Sequence, residues 1–227
     1  MSDQIIVARS DALDSGTAYP RRRDAEPIGP GAILLRAFVA GAEISGLLDA
    51  IGDVAAQAPP RNMLTPGGRR MSVAMTNCGR AGWVSDTRGY CYSAVDPVTA
   101  QAWPAMPEPF SCVAHDAAAA AGFAGFEPDA CLINFYAPGT RLSLHQDRDE
   151  RDFTAPIVSV SLGLPATFLF GGPRRASRPG RHRLAHGDVA VWGGASRLYY
   201  HGVAPLEDGA HAALGARRIN LTLRKAL

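Results

Sequence analysis

From Ala130 onward the chain breaks into eight short β-like runs separated by turn residues. They lie near 130–137, 141–147, 156–162, 166–170, 181–185, 188–193, 197–203 and 217–225. Closely spaced short strands of this kind build a sandwich or a jelly roll rather than a βαβ fold. Two of the runs carry polar residues at period two. In Arg217-Arg-Ile-Asn-Leu-Thr-Leu-Arg224, one face holds Arg218, Asn220, Thr222 and Arg224, and the other Ile219, Leu221 and Leu223. In Cys131-Leu-Ile-Asn-Phe-Tyr136, Asn134 and Tyr136 share a face opposite Ile133 and Phe135. Such a face is either solvated or turned into a barrel that holds an anionic guest. Arg218 and Arg224 would stand roughly 20 Å apart on an extended strand, too far for one small diacid to touch both without twisting or leaning.

The strongest chemical signal is His145-Gln-Asp147 followed by His201. Two residues apart on an extended strand, His145 and Asp147 project the same way. Two imidazoles and a carboxylate occupy one face of a metal ion and leave the other open, a set that suits ferrous iron in oxygenases. A dicarboxylate such as 2-oxoglutarate would chelate that iron at one end and meet an arginine fork at the other. The same three residues could hold zinc in a hydrolase. His115, His182, His186 and His211 read as structural or surface histidines.

Composition narrows the class. Hydrophobic residues make up 47% and charged residues 19%, and the net charge of +2 is too small to imply nucleic-acid binding from bulk charge. The four cysteines form no C-x-x-C motif and read as reduced thiols of a cytoplasmic protein. No apolar run approaches the roughly 20 residues of a membrane span, and the N-terminus does not read as a signal peptide. Residues 1–30, with three prolines and Arg21-Arg-Arg23, read as a loosely ordered extension. Apolar residues at Ile44, Leu47, Leu48, Ile51, Val54 and Ala55 predict a helix over 42–58, stopped by Pro59-Pro60. A second helix is expected from Pro109 to Ala121, with Gly122 as its stop. Both would buttress a sheet from outside. Between them, 61–106 mixes a strand at 71–77 with Gly-rich loops, and interleaves Trp83, Tyr90 and Tyr92 with Arg69, Arg70, Arg80 and Arg88. That mixture suits base stacking and phosphate tracking, or a satellite apolar cluster.

From about Gly31 to Arg224 the chain closely resembles the AlkB-type iron(II)- and 2-oxoglutarate-dependent dioxygenases. The resemblance rests on Thr65-Pro-Gly-Gly, Met71-Ser-Val-Ala-Met-Thr-Asn77, Asn-Phe-Tyr-Ala-Pro-Gly at 134–139, Leu-His-Gln-Asp-Arg-Asp at 144–149, Tyr-His-Gly at 200–202 and Arg-Ile-Asn-Leu-Thr-Leu-Arg at 218–224. It implies an α+β, mainly β fold: a double-stranded β-helix (jelly-roll) core over about 130–225, buttressed by helices, with a nucleotide-recognition lid over about 61–106. It implies Fe(II), 2-oxoglutarate and O2, with His145, Asp147 and His201 as metal ligands. Arg218 and Tyr136 would take the distal carboxylate, Asn134 and Arg224 the metal-bound end, and Asn220 would shape the pocket. Trp83 would stack on a flipped base, Tyr90 would meet a neighbouring phosphate or sugar, and Asp149 the base edge. Arg175 and Met75 complete the implied substrate contacts. The implied reaction is oxidative demethylation of 1-methyladenine and 3-methylcytosine in DNA, single strands favoured and RNA left open, by a monomer. Three alternatives stand beside it: a 2-oxoglutarate hydroxylase of a protein or small molecule, the zinc hydrolase, and a non-catalytic lesion-binding module.

Overall fold

The computed structural model describes residues 25–227. Two sheets face one another. The larger has seven strands in the order β1 (Ala25–Gly29), β2 (Ala32–Leu35), β11 (Val189–Trp192), β8 (Ile157–Gly163), β13 (Arg218–Arg224), β6 (Ala130–Tyr136) and β3 (Ala74–Gly79). The smaller is ordered β10 (Gly180–Leu184), β9 (Ala166–Phe170), β12 (His201–Val203) and β7 (Leu142–His145). Every strand pairing is antiparallel, as in a jelly roll. A separate hairpin of β4 (Gly82–Asp86) and β5 (Gly89–Ser93) rises from the end of β3.

Helices α1 (Gly41–Gln57) and α2 (Glu108–Ala120) cover the outer face of the large sheet. Leu47, Ile51 and Val54 of α1 and Phe110, Val113, Ala114 and Ala117 of α2 share one core with Ile133, Val158, Val160, Ile219, Leu221 and Leu223. The i, i+3, i+4 spacing of these helical residues is what turns each apolar stripe onto the sheet. Prolines 107 and 109 suit the opening turn of α2, and Gly122 at φ +91 ends it.

Strand alternation decides what faces the second sheet. With Ile219, Leu221 and Leu223 under the helices, Arg218, Asn220, Thr222 and Arg224 must point between the sheets. All seven residues of β13 are buried, so this polar face is not solvated. On neighbouring β8, Ser159 and Ser161 lie opposite Thr222 and Asn220. On β6, Asn134 and Tyr136 lie opposite Asn220 and Arg218. At the turn after β8 only glycine fits: Gly163 sits at φ +89, and a Cβ there would meet the Arg217 carbonyl oxygen at 2.4 Å.

The structure amends three expectations. The sheet begins inside the stretch read as an extension, because Ala25–Gly29 pairs with β2. Pro27 is tolerated there because β1 is an edge strand with irregular register. Residues 1–24, with Pro20 and the triple-arginine run, lie outside the described residues. The strand expected at 71–77 runs from Ala74 to Gly79, and the Gly-rich region beyond it forms the β4–β5 hairpin. The run at 197–203 becomes strand only at His201, after a 3-10 turn at Gly194–Ser196. Among the described residues, no helix is long and apolar enough to cross a membrane.

Phe110, completely buried between α2 and the sheet, tests this packing. Phe110→Ala is expected to lower stability by about 3–5 kcal/mol, read as a fall in the urea midpoint at unchanged slope.

Candidate active site

His145 closes β7 and His201 opens β12, and the two are paired directly across the strands. Asp147 follows two residues after β7 ends. It reaches the histidines from a loop rather than from the same strand face, a correction to the simple period-two picture. Gln146 between them donates to the Leu198 carbonyl at 2.6 Å, which ties the loop to the segment leading into His201. The donor atoms of His145, Asp147 and His201 lie within 4.8 Å of one another. Asp147 Oδ1 is 3.7 Å from His145 Nε2, and Oδ2 is 3.6 Å from His201 Nε2. Each Nδ1 faces a backbone carbonyl, Ser143 at 2.8 Å for His145 and Tyr199 at 3.0 Å for His201. Only an N–H can sit against a carbonyl oxygen, so both Nε2 lone pairs turn to the common point.

Electrostatics favours the same ligand-ready state. Burial and the neighbouring His201 push the His145 imidazole down to about 4, which leaves it neutral at physiological pH. Burial by itself would raise the Asp147 carboxyl. Arg224 and the two imidazoles outweigh it and hold the group well below its ordinary range. Arg224 donates Nε and Nη2 to Asp147 Oδ2 at 3.0 and 2.8 Å. Oδ1 is thus the freer carboxylate oxygen. Burial opposes the charge on Arg224, but Asp147, Tyr92 and Glu150 raise its pKa overall.

Arg218 is treated in the opposite way. It is 1% exposed and its one side-chain hydrogen bond goes to Ser161 Oγ at 3.1 Å. No carboxylate of the described residues pairs with it, and burial pulls its pKa down. Five buried side-chain polar atoms among the described residues lack a partner: Arg218 Nε and Nη1, the Tyr136 hydroxyl, Asn134 Oδ1 and Trp192 Nε1. All belong to residues lining a single cavity of about 640 Å³, which the metal triad also lines. The Arg218 guanidinium lies 4.7 Å from the Tyr136 ring centroid. A buried guanidinium with two unpartnered nitrogens, beside an unpartnered hydroxyl, fits a ligand carboxylate with two acceptor oxygens. Asn134 donates to Asn220 Oδ1 at 3.2 Å, and Asn220 donates to Ser159 Oγ at 2.8 Å and the Val160 carbonyl at 2.9 Å. Asn220 is therefore a shaped wall whose amide is already engaged.

The remaining expected residues line the same cavity: Met75, Trp83, Tyr90, Asp149 and Arg175. Trp83 stacks on Tyr90 with ring centroids 5.4 Å apart and donates Nε1–H to Asp149 Oδ2 at 2.8 Å. Its backbone is held by Asn77, whose amide makes two 3.0 Å bonds to the Trp83 N–H and carbonyl. Arg175 lies 5.9 Å from the Tyr200 ring. His115 is exposed on α2 and does not line the cavity. His186 and His211 form a partly buried pair 4.3 Å apart, outside the cavity.

Sequence reasoning missed Glu150, Arg197, Ser161 and Trp192. Glu150 hides in a charge run, Asp147-Arg-Asp-Glu-Arg151, that reads as exposed loop, yet it is only 6% exposed. Trp192 lies on a strand buried on both faces, so alternation could not single it out.

The donor set of the triad suits ferrous iron, and the orphaned cradle suits a dicarboxylate. Together they define an iron(II)- and 2-oxoglutarate-dependent dioxygenase on a jelly roll. The family model described as the 2OG-Fe(II) oxygenase superfamily matches residues 31–224, and the chain belongs to that family. It is of the AlkB type. It is 60% identical over 201 residues to the alpha-ketoglutarate-dependent dioxygenase AlkB of Salmonella typhimurium, covering 88% of this chain and 93% of that protein. Its identity to the Escherichia coli AlkB is 57% with the same coverage. The solved structure of OsALKBH1 superposes with a TM-score of 0.78 at 28% identity, over 88% of this chain and 99% of that one. A zinc hydrolase would have no use for the Arg218 cradle.

Arg218→Met separates binding from folding. Loss of a charge-assisted hydrogen bond worth about 1.5–3 kcal/mol should raise the KM for 2-oxoglutarate by roughly 10- to 100-fold. The ligand-free protein should become more stable by roughly 1–3 kcal/mol, since an unpaired buried charge is removed. Steady-state kinetics and urea unfolding of the same preparation check both halves.

Proposed function

We propose that the protein removes N-methyl groups oxidatively from nucleobases, 1-methyladenine and 3-methylcytosine in DNA. One observation carries this reading: the cavity that holds the metal triad and the carboxylate cradle also has a flat aromatic wall. That wall is Trp83, oriented by Asp149 and backed by Tyr90. A planar base can stack there, and no such wall is needed for a small aliphatic substrate.

The residues divide the work. His145, Asp147 and His201 would hold iron. Arg218 and the Tyr136 hydroxyl would grip the distal carboxylate of 2-oxoglutarate, with Asn134 and Arg224 at the metal-bound end. When bound, iron and 2-oxoglutarate supply oxidation of the N-methyl group by dioxygen, with formaldehyde, succinate and carbon dioxide as products. Trp83 stacks on the extruded base. Asp149, beyond its bond to Trp83, accepts from an exocyclic amino group and favours a cationic methylated ring. Met75 gives an apolar floor, and Tyr90 and Arg175 meet the flanking backbone. Extrusion from a duplex costs a few kcal/mol, less for a damaged base that cannot pair and least for a base already in a single strand, in keeping with the single-strand preference that the resemblance implies. In this reading 61–106 acts as the recognition lid on the 31–227 domain, and the enzyme works as a monomer in the cytoplasm.

The test is a panel of methylated single- and double-stranded DNA and RNA with Fe(II) and 2-oxoglutarate, scored for formaldehyde and loss of methyl mass. Asp147→Ala is expected to abolish release, and retention of parental activity would sink the proposal. Trp83→Ala removes stacking worth about 1–3 kcal/mol, so methylated-oligonucleotide turnover should fall much further than substrate-free succinate production. Equal losses would favour a protein or small-molecule hydroxylase instead.

A further inference from the structure

We infer that Arg197 is a positioning residue for the metal centre. It fastens the loop carrying Asp147 to the turn that leads into His201, and through Glu150 it reaches the hairpin that bears Trp83. Arg197 is 3% exposed and follows directly on the 3-10 turn at Gly194–Ser196, four residues before His201. Its guanidinium donates in three directions. Nη1 meets the backbone carbonyl of Asp147 at 2.7 Å, Nε the carbonyl of Ala155 at 3.0 Å, and Nη2 Glu150 Oε2 at 3.2 Å. All three acceptors lie on the loop between β7 and β8.

That placement matters because the triad is assembled from two separate pieces of chain. Strand pairing fixes His145 against His201, but Asp147 lies beyond the end of β7, where no ladder holds it. The Arg197 fork supplies what the ladder does not. Glu150 extends the connection. Its Oε1 accepts from the Tyr92 hydroxyl at 2.7 Å and lies 3.4 Å from Arg224 Nε, the same nitrogen that holds Asp147. Two arginines and two carboxylates thus balance in one buried group, with Tyr92 of β5 joined at its edge. Buried ion pairs contribute little net stability, and their best-attested use is to fix one geometry among several. This inference concerns the metal site alone and holds whichever base is processed.

The test reads metal affinity rather than turnover. Arg197→Lys keeps the charge beside Glu150, but one ammonium cannot serve three diverging acceptors as a planar fork does. On the full chain with saturating 2-oxoglutarate, Mn(II) affinity measured by calorimetry should fall about 10- to 100-fold, the usual effect of losing an outer partner of a metal ligand. Arg36→Lys is the control. Arg36 bonds Asp188 at 2.8 Å, pairs with Glu26 and does not line the cavity. It should lower the thermal midpoint of the metal-free protein without changing Mn(II) affinity. If Arg197→Lys gives no soluble protein, Glu150→Asp, which keeps charge and shortens the arm, carries the same measurement. Mn(II) affinity within twofold of the parent, or a loss matched by Arg36→Lys, would overturn the assignment.

Discussion

A guanidinium buried without a counter-charge governs this molecule. Arg218 and Arg224 stand on one face of one central strand, both sealed from water. Their surroundings differ completely. Arg224 is engaged by Asp147 and lies beside Glu150, so its charge is neutralised and its task is to orient a carboxylate. Arg218 has one serine hydroxyl and an aromatic face. Desolvating a cation with so little compensation is costly, and the fold bears that cost where a carboxylate ligand can relieve it. The sequence distance between the two arginines, which made it hard for one small diacid to touch both, becomes a division of labour.

Such a charge can be held only on an element that cannot relax. Strand β13 is paired on both sides, with β6 along its whole length and with β8 from Arg218 to Leu223. Its other face is packed beneath both helices. Collapse around Arg218 would need a strand held on both sides to move. The cradle is therefore preorganised, and a bound carboxylate meets donors already in place.

Much of this was legible in the residues. Period-two alternation in 218–224 and 131–136 separates the cavity face from the helix face correctly, because burial on one side forces polar groups to the other. Both helical stripes are readable for the same reason. What alternation cannot read is anything set by a turn. The departure of Asp147 from the strand, the late start of β12 at His201 and the hairpin at Gly82–Ser93 all depend on local backbone geometry. Glu150 was hidden for a related reason: a charged residue in a polar loop reads as solvated. Arg197 stood at the head of a run read as strand, and only the fold shows that these two bury each other. The strand Ala25–Gly29 was masked by Pro27, which an edge position accommodates.

The two halves of the cavity are consequently built to different standards. The co-substrate half is written in paired strands. The substrate half hangs on a two-stranded hairpin, an element only marginally stable by itself. Three side-chain connections attach it near the site: Asn77 to the Trp83 backbone, Asp149 to the Trp83 indole, and Glu150 to the Tyr92 hydroxyl. Two of those three begin on the loop that also carries Asp147. The triad carboxylate and the two carboxylates that fasten the hairpin thus sit within four consecutive residues, Asp147 to Glu150. The hairpin is hydrogen-bonded to this loop at Trp83 and Tyr92, whereas β13 is held by strands on both sides. That loop, rather than the sheet, is where the Trp83 hairpin and the carboxylate of the His-Asp-His cluster meet.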